Sequence, residues 1–387
     1  MATDIHRRWT GISLVAGALE RRVWVPAGDR IAVANLYVIL VAPPGTGKFI
    51  IEKGRELLAE TPKSTSPEPA FTVASDSVSR ASLVDELNHA KTTFQSPSGP
   101  ITYNSLLICS EEFEVLLPSY DPPFIALLNK IFMNSPFHRE TRRHGPARDI
   151  KIFNPQFNIL AGATPAYFTA HFPEEAWDTG LIRRILMIYS AEPPLKDIFA
   201  KIPDLPRLRA NLIYRLSQMS ALYGEATWSS EALKSVQSWH LAGGPPSPNH
   251  SKLRYYNRSR TLFILKLSLI SAVARSGFPT IELIDVRRAF EWLFEAEALM
   301  PDIFRAMVGK SDRQVIEELH LYMESTWIKN KYKPLRTDEV TTFLSHRIPS
   351  EKIFPVLNIA EATGTIAHPA GALDLWIPRP RHLHGVE

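Results

Sequence analysis

Leu36-Tyr37-Val38-Ile39-Leu40-Val41 runs directly into Ala42-Pro43-Pro44-Gly45-Thr46-Gly47-Lys48-Phe49. The first six residues are apolar and partly β-branched, the mark of a short, fully buried strand. The glycines that follow let backbone N–H groups turn inward, and a helix predicted from Phe49 to Leu58 adds positive potential at its N-terminus. A strand, a glycine-rich turn and a helix in that order make a phosphate cradle, in which Lys48 reaches the β- and γ-phosphates of a nucleotide. Pro44, Gly45, Thr46, Gly47, Lys48 and Phe49 are therefore the expected nucleotide-binding residues, with ATP and Mg2+ as ligands. A glycine turn carrying a surface lysine is the plainer alternative. The loop departs from the full pattern twice. Ala42 stands where its first glycine is expected, and Phe49 stands where a Ser or Thr hydroxyl ligates Mg2+.

Further apolar runs follow at Leu106–Cys109, Phe157–Ala161 and Ile185–Tyr189, each separated by polar or helical stretches. Short buried strands joined by crossover helices predict a mostly parallel sheet. The Leu106–Cys109 run ends at Ser110-Glu111-Glu112-Phe113. Two carboxylates at the C-terminal end of a buried strand suit metal-assisted hydrolysis, with Glu111 orienting Mg2+ and its waters and Glu112 polarising the attacking water. An acidic helix start favoured by the helix dipole is the alternative. The Phe157–Ala161 run leads to Gly162-Ala163-Thr164. Thr164 either contacts the γ-phosphate as a sensor or begins a turn before Pro165. Gly180-Leu181-Ile182-Arg183-Arg184 precedes the last run, and Arg184 is the candidate for stabilising transition-state charge on a neighbouring subunit's nucleotide. Adjacent arginines at a strand start are also a common salt-bridged feature.

The whole chain bounds these readings. Its 387 residues suffice for two or three compact units, and 45% hydrophobic with 22% charged residues is ordinary for a globular protein. A single cysteine, Cys109, excludes a disulfide framework and Cys-based zinc sites and fits a reducing, cytoplasmic setting. No apolar run is long enough to span a bilayer, and the run Ile12–Leu19, followed by Glu20, Arg21 and Arg22, argues against a signal peptide. A net charge of +4 permits nucleic-acid binding without demanding it. Between the carboxylate and sensor strands lie Arg139, Arg142, Arg143, Arg148 and Lys151 around a Gly145-Pro146 turn. A hairpin there would track a phosphate backbone; an exposed basic loop is the alternative. His382 and His384 read as a tail, not a metal site.

Four zones emerge: a lead-in over 1–35, an α/β core over 36–200, a helical zone over 201–310, and a distinct unit over 311–387. In the third zone Leu262, Leu265, Leu269 and Val273 share one helical face. In the last, three amphipathic segments precede Gly364-Thr365-Ile366-Ala367 and Leu373–Ile377, the pattern of three helices and a β-hairpin in a winged helix. Thr61–Pro69, rich in Pro, Ser and Thr, reads as a loop.

The order Gly-Thr-Gly-Lys, Glu-Glu-Phe, Gly-Ala-Thr-Pro and Gly-x-x-x-Arg resembles P-loop proteins of phages, plasmids and integrated elements, helicase-like ATPases sometimes fused to primase-polymerase modules. The likeness extends from Gly17 to about Met307. It implies a P-loop NTPase core of AAA+ or RecA-like type, a helical lid and a C-terminal winged helix. By the same resemblance Lys48 is the Walker A lysine, Glu111 and Glu112 the Walker B pair, Thr164 the sensor and Arg184 the arginine of the Gly-x-x-x-Arg pattern. Arg258 or Arg260 becomes a second sensor on the lid. The implied activity is an ATP-driven DNA helicase, translocase or helicase loader in mobile-element replication, working as a homo-oligomeric ring and in reach of a replicative helicase or primase. Two rivals stand beside it: a nucleotide-gated DNA-binding protein with little or no hydrolysis, which Phe49 favours, and an ATPase that remodels a protein partner.

Overall fold

In the computed structural model the described residues are 2–75, 78–141, 149–173, 176–177, 179–191, 204–345, 347–348, 350–369 and 371–379. In chain order the elements are α1 (Asp4–Leu19), β1 (Val23–Ala27), β2 (Arg30–Val33), β3 (Tyr37–Val41), α2 (Ile50–Ala59), β4 (Pro62–Lys63), β5 (Ser66–Pro69), α3 (Arg80–His89), β6 (Lys91–Ser96) and β7 (Gly99–Ser110). Next come α4 (Phe113–Leu116), α5 (Pro122–Phe132), β8 (Phe137–Thr141), β9 (Asp149–Phe153), β10 (Pro155–Ala163), α6 (Pro165–His171) and β11 (Ile185–Tyr189). The remainder is α7 (Leu205–Met219), β12 (Gly224–Glu225), β13 (Thr227–Trp228), α8 (Ser230–Leu241), α9 (Arg260–Ser276), β14 (Thr280–Ile281), α10 (Leu283–Lys329), β15 (Leu335–Arg336), α11 (Thr337–Ser345), α12 (Ser350–Ala362), β16 (Ile366–Ala367) and β17 (Leu375–Pro378). The chain divides into two compact units, Met1–Ile303 and Phe304–Glu387.

The first unit is built on a five-stranded sheet in the order β11-β3-β10-β7-β6. The four expected strands are parallel neighbours, with Ile185 opposite Tyr37, Ile159 opposite Tyr37 on the other side, and Phe157 opposite Leu106. Helices cover both faces. Leu107 packs against Gly17 of α1 at 3.1 Å from where a Cβ would lie. Phe157, opposite Leu106 on the other side of the pleat, meets the ring of Tyr37, whose hydroxyl donates to Leu128 of α5 at 2.9 Å. Alternation along a strand places those two contacts on opposite faces.

Three features differ from the expectation. The fifth strand, β6, is antiparallel, closed on β7 by a turn in which Gly99 takes φ +114. Its alternating polar residues suit an edge strand half in solvent, a pattern too weak to announce itself. Thr61–Pro69 is not wholly loop, since β4 and β5 pair across it. The lead-in is core: Trp9 and Leu19 of α1 are fully buried, and α1 lies against α2, where Gly54 admits Thr10 and Leu14.

In the second unit, the C-terminal turns of α10, with α11 and α12, surround a core of Leu319, Met323, Leu335, Val340, Leu344, Val356, Leu357, Ile366 and Trp376. Strands β15, β17 and β16 form a three-stranded antiparallel sheet. Outward along α12 lie Lys352, Phe354, Asn358, Ile359 and Glu361.

Candidate nucleotide site

The loop after β3 folds as its glycines require. Gly45 and Gly47 have φ of +80 and +76, conformations that side chains with a Cβ rarely adopt. Thr46 is buried and its hydroxyl donates to the carbonyl of Pro43 at 2.6 Å, bracing the turn from inside. The N–H of Ala42 bonds the carbonyl of Ala163, so the loop springs from the sheet beside the end of β10. Pro44 and Gly45 are exposed on its outer side. Helix α2 follows with Phe49 at its N-cap and no side-chain cap. Phe49 is 47% exposed, pointing neither into the core nor carrying an oxygen toward a metal.

Because β10 lies between β3 and β7, the loop and the carboxylates are two strand spacings apart, roughly 9–10 Å. Lys48 bridges that gap. Its side chain passes over Gly162, where an added Cβ would lie 2.8 Å from Lys48 Cδ and would overlap the carbonyl oxygen of Glu111. Burial pushes the Lys48 ammonium below its usual range, and the charges of Glu112 and Glu111 act against that shift. Lys48, Glu112, Gly162, Ala163 and Thr164 line one small cleft of about 70 Å3 at the C-terminal edge of the sheet, where open parallel sheets bind ligands. A second cleft of about 350 Å3 lies on the α2 side, bounded by Glu52, Arg55, Cys109, Ser110, Glu111 and Glu112. Among the described residues neither the Glu111 nor the Glu112 carboxylate makes a hydrogen bond or ion pair. Two uncommitted carboxylates facing a cationic loop can share a hard cation with phosphate oxygens, since Mg2+ is usually held by one or two carboxylates and substrate phosphates. Among the described residues no group of three His, Cys, Asp or Glu could hold a metal without such phosphates.

Thr164 begins the turn before Pro165, one of the two roles expected of it. Its hydroxyl caps α6, accepting from the N–H of Tyr167 at 3.2 Å, and it lines the cleft with Lys48 and Glu112. Cys109 is a buried core residue.

The chain matches no protein-family model and no curated protein. The remaining candidates rest on their geometry alone.

Arg184 sits at the N-terminal end of β11, five residues before the position level with the loop, or about 16 Å at ~3.3 Å per residue. It therefore cannot reach the cleft lined by Lys48 and Glu112. Nor is it offered outward: it is 6% exposed, donates to Asn129 Oδ1 at 3.1 Å and to the Gly180 carbonyl, and lies over Phe132. Arg183 beside it is half-buried and the more accessible of the two.

Arg260 is likewise enclosed. It pairs with Glu297 at 2.6 and 2.7 Å and donates to the carbonyls of Gly244 and Pro246, a clasp between α9 and α10. Arg258 is exposed, its guanidinium 5.5 Å from the centre of the Tyr255 ring. Of the basic hairpin, β8 and β9 pair as expected, but their charges are matched. Arg139 and Lys151 both face Asp149, at 2.7 and 3.7 Å, and Glu140 takes Arg80 at 2.8 Å. Arg142, Arg143 and Arg148 lie outside the described residues, as do His382 and His384.

The sequence pattern did not single out four further residues in or around the site. Gly162 is the close-approach point, marked in sequence only as a glycine ending a strand. Glu114, which lines the cleft, lies 3.4 Å from His171 Nε2, and the His171 ring packs against Tyr167 with centroids 5.0 Å apart. His6 of α1 is fully buried, its Nε2–H donating to Ile188 at 3.1 Å while Nδ1 has no partner. Burial, and secondarily the nearby Lys48 charge, lower its pKa to about 4. No motif predicts that contact, because it spans the chain from residue 6 to residue 188.

Proposed function

We propose that the first unit is a P-loop NTPase core that binds ATP with Mg2+ and hydrolyses it, and that the turnover drives work on DNA in the replication of a mobile element. The observation that carries the reading is Lys48 laid across Gly162 toward Glu112 and Thr164. Cation, carboxylate and hydroxyl come from three different loops and converge where a γ-phosphate would sit. Lys48 would neutralise phosphate charge, Glu111 would hold the metal's outer shell, and Glu112 would take the proton of the attacking water. Mg2+, when held there by Glu111, would supply charge neutralisation to the phosphates. For the second unit the order helix, strand, helix, helix, strand, strand supports the winged-helix reading. The outward face of α12 carries two large apolar side chains, Phe354 and Ile359, and only Lys352 and Asn358 of the Arg, Lys, Asn and Gln kinds that read bases. It suits a protein partner such as a replicative helicase or primase better, so DNA contact is assigned to the first unit. Phe49 supports the second reading, a nucleotide-gated binder with little hydrolysis, because it offers Mg2+ no oxygen.

The test is ATP binding and turnover, with and without single-stranded DNA, for the wild type, Lys48→Ala and Glu112→Gln. Loss of a charge-assisted bond of ~1.5–3 kcal/mol should weaken ATP binding roughly ten- to hundredfold in Lys48→Ala. Glu112→Gln should bind normally and turn over little. Equal ATP affinity in Lys48→Ala and wild type would refute the reading; normal affinity with no turnover in the wild type would select the second one.

A further inference from the structure

The β8–β9 hairpin has two unlike faces. Its register sets Phe137 opposite Phe153, Arg139 opposite Lys151 and Thr141 opposite Asp149. These residues alternate with His138, Glu140, Ile150 and Ile152, so they share one face, and all of them are exposed. The other face is fixed inward by the buried Ile150 and Ile152, which a slip of one residue would expose. On the outward face the two rings are out of place. Their centroids lie 5.5 Å apart with planes tilted by 55°, and Phe137 and Phe153 remain 37% and 40% exposed despite that contact. Their backbone is tied to the sheet. The N–H of Phe153 donates to Asn104 Oδ1 of β7 at 3.0 Å, and Asn154 donates from its side chain to the Thr102 carbonyl at 2.9 Å and from its N–H to the Pro136 carbonyl at 2.8 Å. Asn104 is also the register partner of Lys91, whose exposed ammonium lies 5.7 Å from the centre of the Phe153 ring. One row along the hairpin, about 7 Å away, Arg139 and Lys151 share the single carboxylate of Asp149.

We propose that Phe137 and Phe153 form a stacking platform for unpaired bases of a single-stranded nucleic acid, with Lys91, Arg139 and Lys151 holding its phosphates on either side. The inference rests on the reading that the first unit works on nucleic acid, and it names the form taken. Bases of a duplex are stacked on one another and have no free face for the rings, whereas every unpaired base has one, so such a platform holds a strand without reading its sequence. Charge selects the same occupant. The rings lie between Lys91 and the row of Arg139 and Lys151, three cations against one carboxylate, which suits a phosphate backbone. Asp149 moderates the site, because a phosphate must compete with it for both cations of that row. The nucleotide of the same chain is out of reach: the hairpin leads into the N-terminal end of β10, and the eight residue steps from Pro155 to Ala163 span about 26 Å at ~3.3 Å each.

The experiment uses the full chain and a labelled oligothymidylate, which forms no duplex, with affinity measured over a range of salt concentrations and a thermal melt of each variant. Loss of a stacked base should weaken binding about tenfold per ring. Phe137→Leu with Phe153→Leu, which keeps apolar bulk in the hairpin and removes both π-faces, should therefore bind about a hundredfold more weakly with its salt slope preserved. Affinity for a duplex of the same length should not change. Lys91→Ala should flatten the log–log salt slope by ~0.7, the value of one phosphate contact on a single strand. Asp149→Asn should tighten binding, an effect that a purely structural hairpin would not show. Lys91 and Asp149 are at the surface, so these two variants test the site even if the double leucine variant fails to fold. A folded double leucine variant that keeps its oligothymidylate affinity, or Lys91→Ala and Asp149→Asn variants that bind as the wild type does, would overturn the platform and leave the general reading standing. An equal loss of duplex affinity in the double leucine variant would show that the rings support backbone contacts without stacking, and would overturn it too. Absence of any oligothymidylate binding by the wild type would overturn the nucleic-acid reading, and the site with it.

Discussion

Placing a methyl group at Gly162 would test the geometry of the whole site. In Gly162→Ala the new Cβ would overlap the carbonyl oxygen of Glu111 and lie 2.8 Å from Lys48 Cδ. Non-bonded carbon contacts settle at ~3.5–4.0 Å, so relief requires the Glu111 peptide to move by roughly 1 Å, with Lys48 displaced too. Overpacking of this kind costs about 1–3 kcal/mol. Misplacing catalytic groups by ~1 Å costs on the order of 10²-fold in rate. Turnover of Gly162→Ala should therefore fall about a hundredfold, while the melting temperature drops by only a few degrees. Gly17→Ala is the matched control. There the new Cβ meets the flexible end of Leu107 at 3.1 Å, far from the cleft, so some stability should be lost and turnover kept. ATP hydrolysis measured beside thermal melting distinguishes the two. A Gly162→Ala protein with wild-type turnover would mean that Lys48 and Glu111 do not meet over this residue, and the site as described would be refuted.

Three other perturbations have defined outcomes. His6 is buried as the neutral imidazole, its folded pKa lowered from 6.5 to about 4, so it contributes stability above pH 6.5 that is lost as pH falls toward 4. At about 1.4 kcal/mol per pH unit this amounts to about 3 kcal/mol, and melting of His6→Gln between pH 7 and 4 should lack that component of the decline; an unchanged pH profile would show that the imidazole is not the group responsible. Arg260→Ala leaves Glu297 buried without its partner and should destabilise by about 3–5 kcal/mol in chemical denaturation; a variant as stable as wild type that had lost ATP affinity would instead restore Arg260 as a nucleotide sensor. Phe49→Thr should raise Mg2+-dependent turnover several-fold with stability within about 0.5 kcal/mol, as expected of an exposed position. No gain in a folded Phe49→Thr protein would mean that residue 49 does not face the metal.

The parallel strands and the loop after β3 were legible in the sequence because their causes are local. A run of buried β-branched residues needs no partner to declare itself, and Gly45 and Gly47 mark a turn that only glycine adopts freely. Glu111, Glu112 and Thr164 could be named for the same reason, each standing two or three residues beyond an apolar run. The expectation that these residues would meet Lys48 needed strand order, which periodicity does not encode. That β10 separates β3 from β7, and that Gly162 leaves room for the lysine to cross, follows from which strands pair. Burial of Arg184 and Arg260 was equally out of view, since their partners Asn129 and Glu297 lie 55 and 37 residues away. An arginine motif reads the same whether its guanidinium faces solvent or a core. Only packing, which determines the solvation of a charge and so the energy needed to move it, distinguishes the two. The tertiary structure likewise turned α1 from a lead-in into core and brought His6 to Lys48.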